Sequence, residues 1–113
     1  MKIIKLDFGD LSNLQWVSPL TEFDLDGFVI NIRLCYNKIN NSLYMNVYDA
    51  YDNVIVYGVK LVPNMNLLQQ VSYKFKKNHI LMILSATQGH EYDDVTLENF
   101  GKGMMMYYVT ENV

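Results

Sequence analysis

The side chains best suited to chemistry lie in residues 90–94, which read His-Glu-Tyr-Asp-Asp. One imidazole and three carboxylates within five positions could ligate a divalent cation. The spacing, however, matches neither an EF-hand nor a zinc signature. We therefore interpret these residues as a solvated acidic loop and predict no metal and no cofactor. Cation binding by the Glu91–Asp94 loop stays open at this point.

Asp49, Asp52 and Asn53 form a second cluster of oxygen-bearing side chains. Such groups bind calcium, but the glycine and the terminal glutamate of a calcium loop are missing. Asp and Asn also favour turns, because their side chains accept hydrogen bonds from nearby backbone groups. The simpler prediction for this cluster is a turn.

Cys35 is the only cysteine, so the chain forms no internal disulfide. It shares a predicted strand face with Arg33, but His79 and His90 are remote in sequence. The sequence contains no nucleophile elbow and no HExxH motif. We interpret Cys35 as a small buried hydrophobe and predict that the protein is not an enzyme. A hydrolase that uses His90, Asp93 and Asp94 ranks last among the hypotheses.

The charge distribution argues against nucleic acid as a specific ligand. The net charge is -3 and Arg33 is the only arginine, whereas phosphate binding needs concentrated Lys and Arg. Residues 74–77 read Lys-Phe-Lys-Lys, which we interpret as a solvated turn rather than a phosphate or membrane-surface patch. The first residues lack the apolar core of a signal peptide, and the apolar run Ile80–Leu84 is too short to span a bilayer.

Alternation with a period of two residues dominates the chain and indicates strands. In residues 28–36 every even position is apolar or aromatic, which is typical of a half-buried strand. Residues 43–48 alternate in the same way after an Asn-rich turn, so the two segments are predicted to form a hairpin. Gly58 is expected to mark either a bulge or a close approach of another group to the backbone. Residues 21–26 are expected to form an acidic turn. Further strands are predicted at 2–6, 14–17, 54–62, 79–87 and 104–109, and the last of them is expected to pair centrally in its sheet.

No segment has a convincing helical period, and residues 65–75 are left unassigned. We therefore predict one all-β domain over residues 1–113. It is a small antiparallel barrel or a two-sheet sandwich of about six to seven short strands. Periodicity does not distinguish the two, because closure of a barrel depends on strand pairing.

Two of these strands are apolar on both faces. Neighbouring residues in a strand point to opposite faces, so Met105 and Met106 cannot both enter one core. The run at residues 80–84 is expected to be buried on both faces. A second sheet or a partner subunit must then cover the second face. Because Tyr and Met are enriched at interfaces, we predict an interface at Tyr44, Tyr48, Tyr57, Met105 and Tyr107.

The order of several sequence blocks resembles that of a known family. Residues 43–53 read LYMNVYDAYDN, and residues 56–64 read VYGVKLVPN before Asn-Leu-Leu at 66–68. Farther on, Tyr-Asp-Asp-Val at 92–95 and Asn-Phe-Gly at 99–101 precede a closing Met-Tyr-Tyr strand. Over nearly the whole chain, this order resembles the baseplate plug proteins of contractile-tailed phages, of the cyanophage type.

The resemblance implies a structural virion protein at the tail baseplate, assembled in the host cytoplasm, that closes the end of the tail tube without catalysis. It also implies other baseplate, hub and tail proteins as partners, and a symmetric homo-oligomer. Asn64 departs from the family pattern, in which a glycine is usual after the proline. The alternative is a small β-barrel that binds a ligand or carbohydrate through Trp16 and the tyrosines.

Overall fold

The structure is a computed structural model that describes residues 2–11, 14–25, 27–69, 79–86, 88–91 and 93–110. These residues form two antiparallel sheets. The large sheet contains, in spatial order, β2 (Thr21–Leu25), β3 (Phe28–Asn37), β4 (Ser42–Asp49) and β5 (Val54–Lys60). The small sheet contains, in spatial order, β1 (Lys2–Leu6), β7 (Met104–Thr110) and β6 (His79–Ser85).

The β3–β4 hairpin forms because apolar residues occupy every second position of both strands. Ile32 pairs with Val47 and Leu34 with Met45, and all four side chains are fully buried. The turn between the strands places Asn41 in the left-handed region, at a φ of 51°, which Asn tolerates better than most residues. The predicted hairpin is confirmed.

The predicted bulge at Gly58 is also confirmed. β5 pairs with β4 with register shifts on both sides of Val47. Within this irregular stretch Gly58 adopts a φ of 68° and donates its N–H to Asn46 Oδ1 at 2.8 Å. Glycine is suited to this conformation because it has no Cβ to clash with the backbone.

The closing strand β7 is the central strand of the small sheet, as predicted. Its side chains alternate between the core and the outer face. The buried ones are Met104, Met106, Tyr108 and Thr110. On the far side of β6, the chain that follows β5 adds a short pairing, because Pro63 bridges Ile83 and Leu67 donates its N–H to the Leu81 carbonyl at 2.8 Å.

The core lies between the inner faces of the two sheets. The large sheet contributes Ile30, Ile32, Leu34, Leu43, Met45 and Val47, and the small sheet contributes Leu6, Leu81, Ile83, Met106 and Tyr108. The described strands stay in two separate sheets and do not close into a barrel. Of the two predicted all-β architectures, the sandwich is therefore the correct one.

The two flanks of the sandwich are closed differently. On one flank Phe8, which follows β1, packs edge-on against Phe23 of β2 with ring centroids 5.0 Å apart. On the other flank the chain leaving β5 pairs with β6 through Pro63. β1 therefore lies next to β2 across the layers, and β6 lies next to β5.

The acidic turn predicted for residues 21–26 was wrong, since β2 occupies Thr21–Leu25. Acidic residues are uncommon in strands, but here Glu22 and Asp24 are exposed while Leu25 is buried. The strand predicted at 14–17 was also wrong, because there only Val17 forms an isolated bridge, to Cys35.

Residues 65–69 of the unassigned segment form turns that bury Leu67 and Leu68. Residues 70–75, and residue 87 of the predicted strand 79–87, lie outside the described residues. In the part of the chain that the structure describes, no helix is long and apolar enough to cross a membrane.

Candidate assembly surfaces

The five residues predicted to form an interface lie on two different surfaces. Met105 and Tyr107 are on the outer face of β7, in the small sheet, because Met104, Met106 and Tyr108 point inward. The other three residues, Tyr44, Tyr48 and Tyr57, lie on β4 and β5 of the large sheet. Met105 and Tyr107 share one face, and Tyr48 and Tyr57 contact each other on the other sheet. Tyr44 lies four residues from Tyr48 along β4, and the structure does not bring the two groups together.

The outer face of the small sheet is built from cross-strand neighbours that share one side of the sheet. Met105 pairs with Leu84, and Tyr107 lies between Met82 and Lys5. Its members are Ile3 and Lys5 of β1, Ile80, Met82 and Leu84 of β6, and Met105, Tyr107 and Val109 of β7. Lys5 is the only charged side chain among these described positions.

This face is partly exposed to solvent in the described part of the chain, and Met82, Met105 and Tyr107 at its centre are half-buried. Ile3 is 60% exposed and Leu84 is 39% exposed, whereas the core residue Ile83 is fully buried. The prediction that residues 80–84 are buried on both faces was therefore wrong for Leu84. Sequence reasoning identified Met105 and Tyr107 but missed their β6 neighbours. The apolar run itself was the available signal, since alternate members of a strand must face away from the core.

The outer face of the large sheet is polar by comparison. Across β2, β3 and β4 it carries Glu22, Asp24, Val29, Asn31, Arg33, Cys35, Tyr44, Asn46 and Tyr48. The buried Nε of Arg33 has no hydrogen-bond partner among the described atoms. This alternation of a buried apolar face with a polar outer face is what an antiparallel sheet facing water requires.

Tyr48 and Tyr57 form the only described aromatic pair on the large sheet's outer face. Their ring centroids are 5.8 Å apart and the rings are nearly perpendicular, at 89°, which is a favourable arrangement for aromatic groups. The hydrogen bond to Tyr57 is the main reason why the pKa of Tyr48 lies above its usual value, and burial adds to it. The bulge at Gly58 supplies the irregular backbone beside Tyr57.

Tyr44 and Cys35 face each other across β4 and β3. The Tyr44 hydroxyl accepts a hydrogen bond from Asn40 Nδ2 at 3.3 Å. Asn46 Nδ2 lies 3.6 Å from the Cys35 sulfur, and the thiol shares its face with Arg33 as predicted. Cys35 is half-buried rather than fully buried.

The acidic loop at residues 90–94 uses its charges for local contacts. His90 Nδ1 lies 2.7 Å from Asp93 Oδ2, and both side chains are more than half exposed. Glu91 accepts the N–H of Gly89 at 3.0 Å, and this bond is the main reason why the pKa of Glu91 is lowered. Among the described residues, no group of three or more His, Cys, Asp or Glu could hold a metal ion.

Asp49 forms the predicted turn. One carboxylate oxygen accepts the N–H groups of Tyr51 and Asn53, at 2.8 and 2.9 Å, and the other accepts Asn53 Nδ2 at 3.2 Å. Donation from Asn53, first of all from its backbone, lowers the pKa of Asp49. These three bonds explain the acidic cluster as a side-chain-stabilised turn.

Trp16 is the residue on which the alternative function, carbohydrate binding, depends. Its side chain is 66% exposed. The Lys38 ammonium lies 4.9 Å from the centre of its ring, within cation–π range. The backbone around it is held firmly, since the Trp16 carbonyl accepts the N–H of Tyr36 at 2.7 Å. Residues 14–19 line a depression of about 420 Å³.

Two features singled out in the sequence lie outside the described residues. They are the basic stretch at 74–77 and the side chain of His79.

Comparison with known proteins gives one informative result. No curated protein matches the chain. A family model described as the cyanophage baseplate Pam3 plug gp18 matches residues 1–111, which is nearly the full length. This match and the all-β sandwich agree with the family that the order of the sequence blocks predicted. The chain therefore belongs to the cyanophage baseplate plug family.

Proposed function

We propose that the protein is a non-enzymatic structural part of a contractile phage tail, located in the baseplate at the end of the tail tube. Membership of the baseplate plug family supports this role. The proposal also includes assembly in the host cytoplasm, contacts with other baseplate and hub proteins, and more than one copy in the virion.

The observation that carries the proposal is the apolar outer face of the small sheet. A sheet that faced only water would carry polar residues there, as the large sheet does. Contiguous apolar surface instead marks sites of protein–protein contact. Burial of a fully exposed aliphatic side chain is worth about 1.5–3 kcal/mol. Leu84 is 39% exposed, so a neighbour that covers it gains only a fraction of that value, and the affinity must come from several side chains of the face together.

The tyrosines of the large sheet form a second, weaker contact surface in this proposal. Tyr57 is 61% exposed, and its ring is held against Tyr48. A held aromatic ring loses little conformational freedom on binding, which is why Tyr is common at interfaces. The two faces look away from each other on the sandwich, so one copy could contact two neighbours.

Particle composition and position test the role. In the phage or prophage that encodes the chain, an epitope-tagged copy is expected in purified tails, with antibody label at the baseplate end by electron microscopy. Deletion of the gene should abolish infectious particles. A protein absent from purified particles, or a deletion that leaves infectivity unchanged, would contradict the proposal.

A second candidate function is carbohydrate binding through Trp16. The specific observation in its favour is the exposed indole ring beside Lys38, at the edge of a depression. Calorimetric titration with a panel of bacterial surface glycans tests it. Binding heat that disappears in Trp16→Ala, and persists in the control Tyr51→Ala at a distant turn, would favour this function over a purely structural role.

A further inference from the structure

The free edges of the two sheets are not equivalent, and the difference indicates how copies associate. In the described chain, the edge of β6 is occupied, because Pro63 and Leu67 pair with it. The edge of β5 is distorted by register shifts on both sides of Val47 and by the left-handed Gly58. Bulged or covered edges resist pairing with another strand.

The edges of β1 and β2 have neither form of protection. Each strand pairs over five consecutive residues with its single neighbour, β1 with β7 and β2 with β3, without a register shift. No backbone hydrogen bond described outside the sheets involves either strand. Regular edges of this kind leave N–H and C=O groups ready to pair with another chain.

Each open edge strand carries a charged side chain on the outer face of its own sheet, and the two charges are opposite. Lys5 of β1 is exposed, and Leu6, its neighbour, is buried. In β2, Glu22 is exposed and Leu25 is buried. If β1 of one copy lay beside β2 of another, the apolar side chains that face the two cores would become neighbours, namely Ile4 and Leu6 of β1 and Phe23 and Leu25 of β2. The outward side would place an ammonium group near a carboxylate.

The geometry of this flank allows two equivalent strand pairings between two copies, each joining β1 of one copy to β2 of the other. β1 and β2 lie on the same flank, as the contact between Phe8 and Phe23 shows. A two-fold axis parallel to the strands would then place β1 of each copy beside β2 of the other. Such an isologous arrangement is closed and leaves no open edge on that flank.

We propose that a second copy of this chain pairs through these edges, β1 of each protomer adding to the large sheet of the other beside β2, with Lys5 facing Glu22. Backbone hydrogen bonds supply affinity in strand addition, and the side chains set the register. Opposite charges at a rim add mainly orientation and association rate. This pairing would describe how copies contact each other in the proposed baseplate role. It rests on that role only because the role brings several copies into one assembly.

The first test is the mass of the purified full chain in solution as a function of concentration. Wild type is expected to be a dimer. Lys5→Glu and Glu22→Lys should each weaken the dimer by roughly tenfold, and the double variant should recover most of the loss, because opposite charges face each other again. Lys60→Glu at the end of the bulged strand β5 makes the same charge change as Lys5→Glu and should leave the dimer unchanged.

A cross-link then locates the contact. In a Cys35→Ser background, mixed Lys5→Cys and Glu22→Cys chains should form a disulfide between the two different variants under mild oxidation. A monomeric wild type, or a dimer that neither charge reversal weakens, would overturn the proposal. A monomeric chain that is still found at the baseplate would overturn this inference alone, whereas a dimer absent from particles would overturn only the proposed function.

Discussion

The two sheets resemble each other on their inner faces and differ on their outer ones. Both inner faces are built mainly from buried aliphatic, methionine and aromatic side chains. On the outer side, the large sheet carries carboxylates, amides and Arg33, whereas the small sheet carries Met82, Met105, Tyr107 and their apolar neighbours. The fold needs apolar residues only where the sheets meet, and we therefore propose that the second apolar face contacts a partner outside the sandwich.

The same comparison explains why β7 has so unusual a sequence. Its inner residues, such as Met106, must fill the core, and its outer residues, such as Met105, are free of that requirement. β3 also has one face in the core and one face outside it, and its outer face carries the polar residues Asn31 and Arg33. Selection for stability alone would favour a polar outer face in both sheets.

Adjacent methionines in β7 give the largest predicted contrast. Met106→Ala should lower the free energy of unfolding by about 2–5 kcal/mol, because the side chain is 1% exposed and truncation leaves a cavity. Met105→Ala should cost about 1 kcal/mol or less, since the residue lies on the outer face. Urea denaturation of both variants measures the difference. Equal losses would mean that the outer face already packs as tightly as the core.

The bulge in β5 predicts a smaller effect, confined to the large sheet. Gly58→Ala places a Cβ on a backbone with a φ of 68°, which costs about 1–2 kcal/mol. Gly103→Ala is the matched control, because Gly103 lies outside the left-handed region and has open space where the added methyl group would lie. Thermal unfolding should show a lower Tm for Gly58→Ala than for Gly103→Ala. An equal Tm for the two variants would show that the bulge relaxes without strain.

The turn between β4 and β5 predicts the smallest effect, a dependence on pH. Hydrogen bonds to Asn53 and Tyr51 lower the pKa of Asp49 in the folded protein. A lowered carboxyl pKa contributes stability that is present above the ordinary pKa and is lost as the pH falls through the folded value. Asp49→Asn should therefore reduce the decline of Tm in acid, compared with the wild type.

Asp52→Asn in the same turn is the control for this pH dependence, because the Asp52 carboxylate accepts none of the hydrogen bonds described in the turn. The Tm of Asp52→Asn should decline in acid in the same way as the Tm of the wild type. If the Tm of Asp49→Asn declined in acid as steeply as that of the wild type, protonation of the Asp49 carboxylate would not be the cause of the decline.

Much of the fold was predictable because alternation reports directly on which side of a strand is buried. The β3–β4 hairpin, the Gly58 bulge and the existence of strand β7 followed from local pattern. β2 was missed because Glu22 and Asp24 look like turn residues until the exposed side of an edge strand is known. Sandwich and barrel could not be separated, because pairing between distant strands leaves no local signal.

The candidate surfaces were predictable only in part. Alternation placed Met105 and Tyr107 away from the core, but it could not show that they share a face with Met82 and Leu84, which are about twenty residues away. Conversely, Tyr48 and Tyr57 were grouped with them on composition alone, and the structure places that pair on the other sheet.

The central claim is that a baseplate neighbour covers the outer face of the small sheet, and the most direct test is the incorporation of two matched variants. Tyr107→Glu adds a charge to that face, and Tyr51→Glu adds the same charge to an exposed turn, where the side chain is 86% exposed. A phage lacking the gene is complemented with each variant, and the copies per purified particle are counted by quantitative mass spectrometry.

Both variants should unfold near the wild-type Tm, because neither enters the core. The number of Tyr107→Glu copies per particle should be lower than that of the wild type by roughly tenfold or more, as expected for a tyrosine buried at an interface. The number of Tyr51→Glu copies should equal that of the wild type. Equal incorporation of the two variants, with both correctly folded, would contradict the claim.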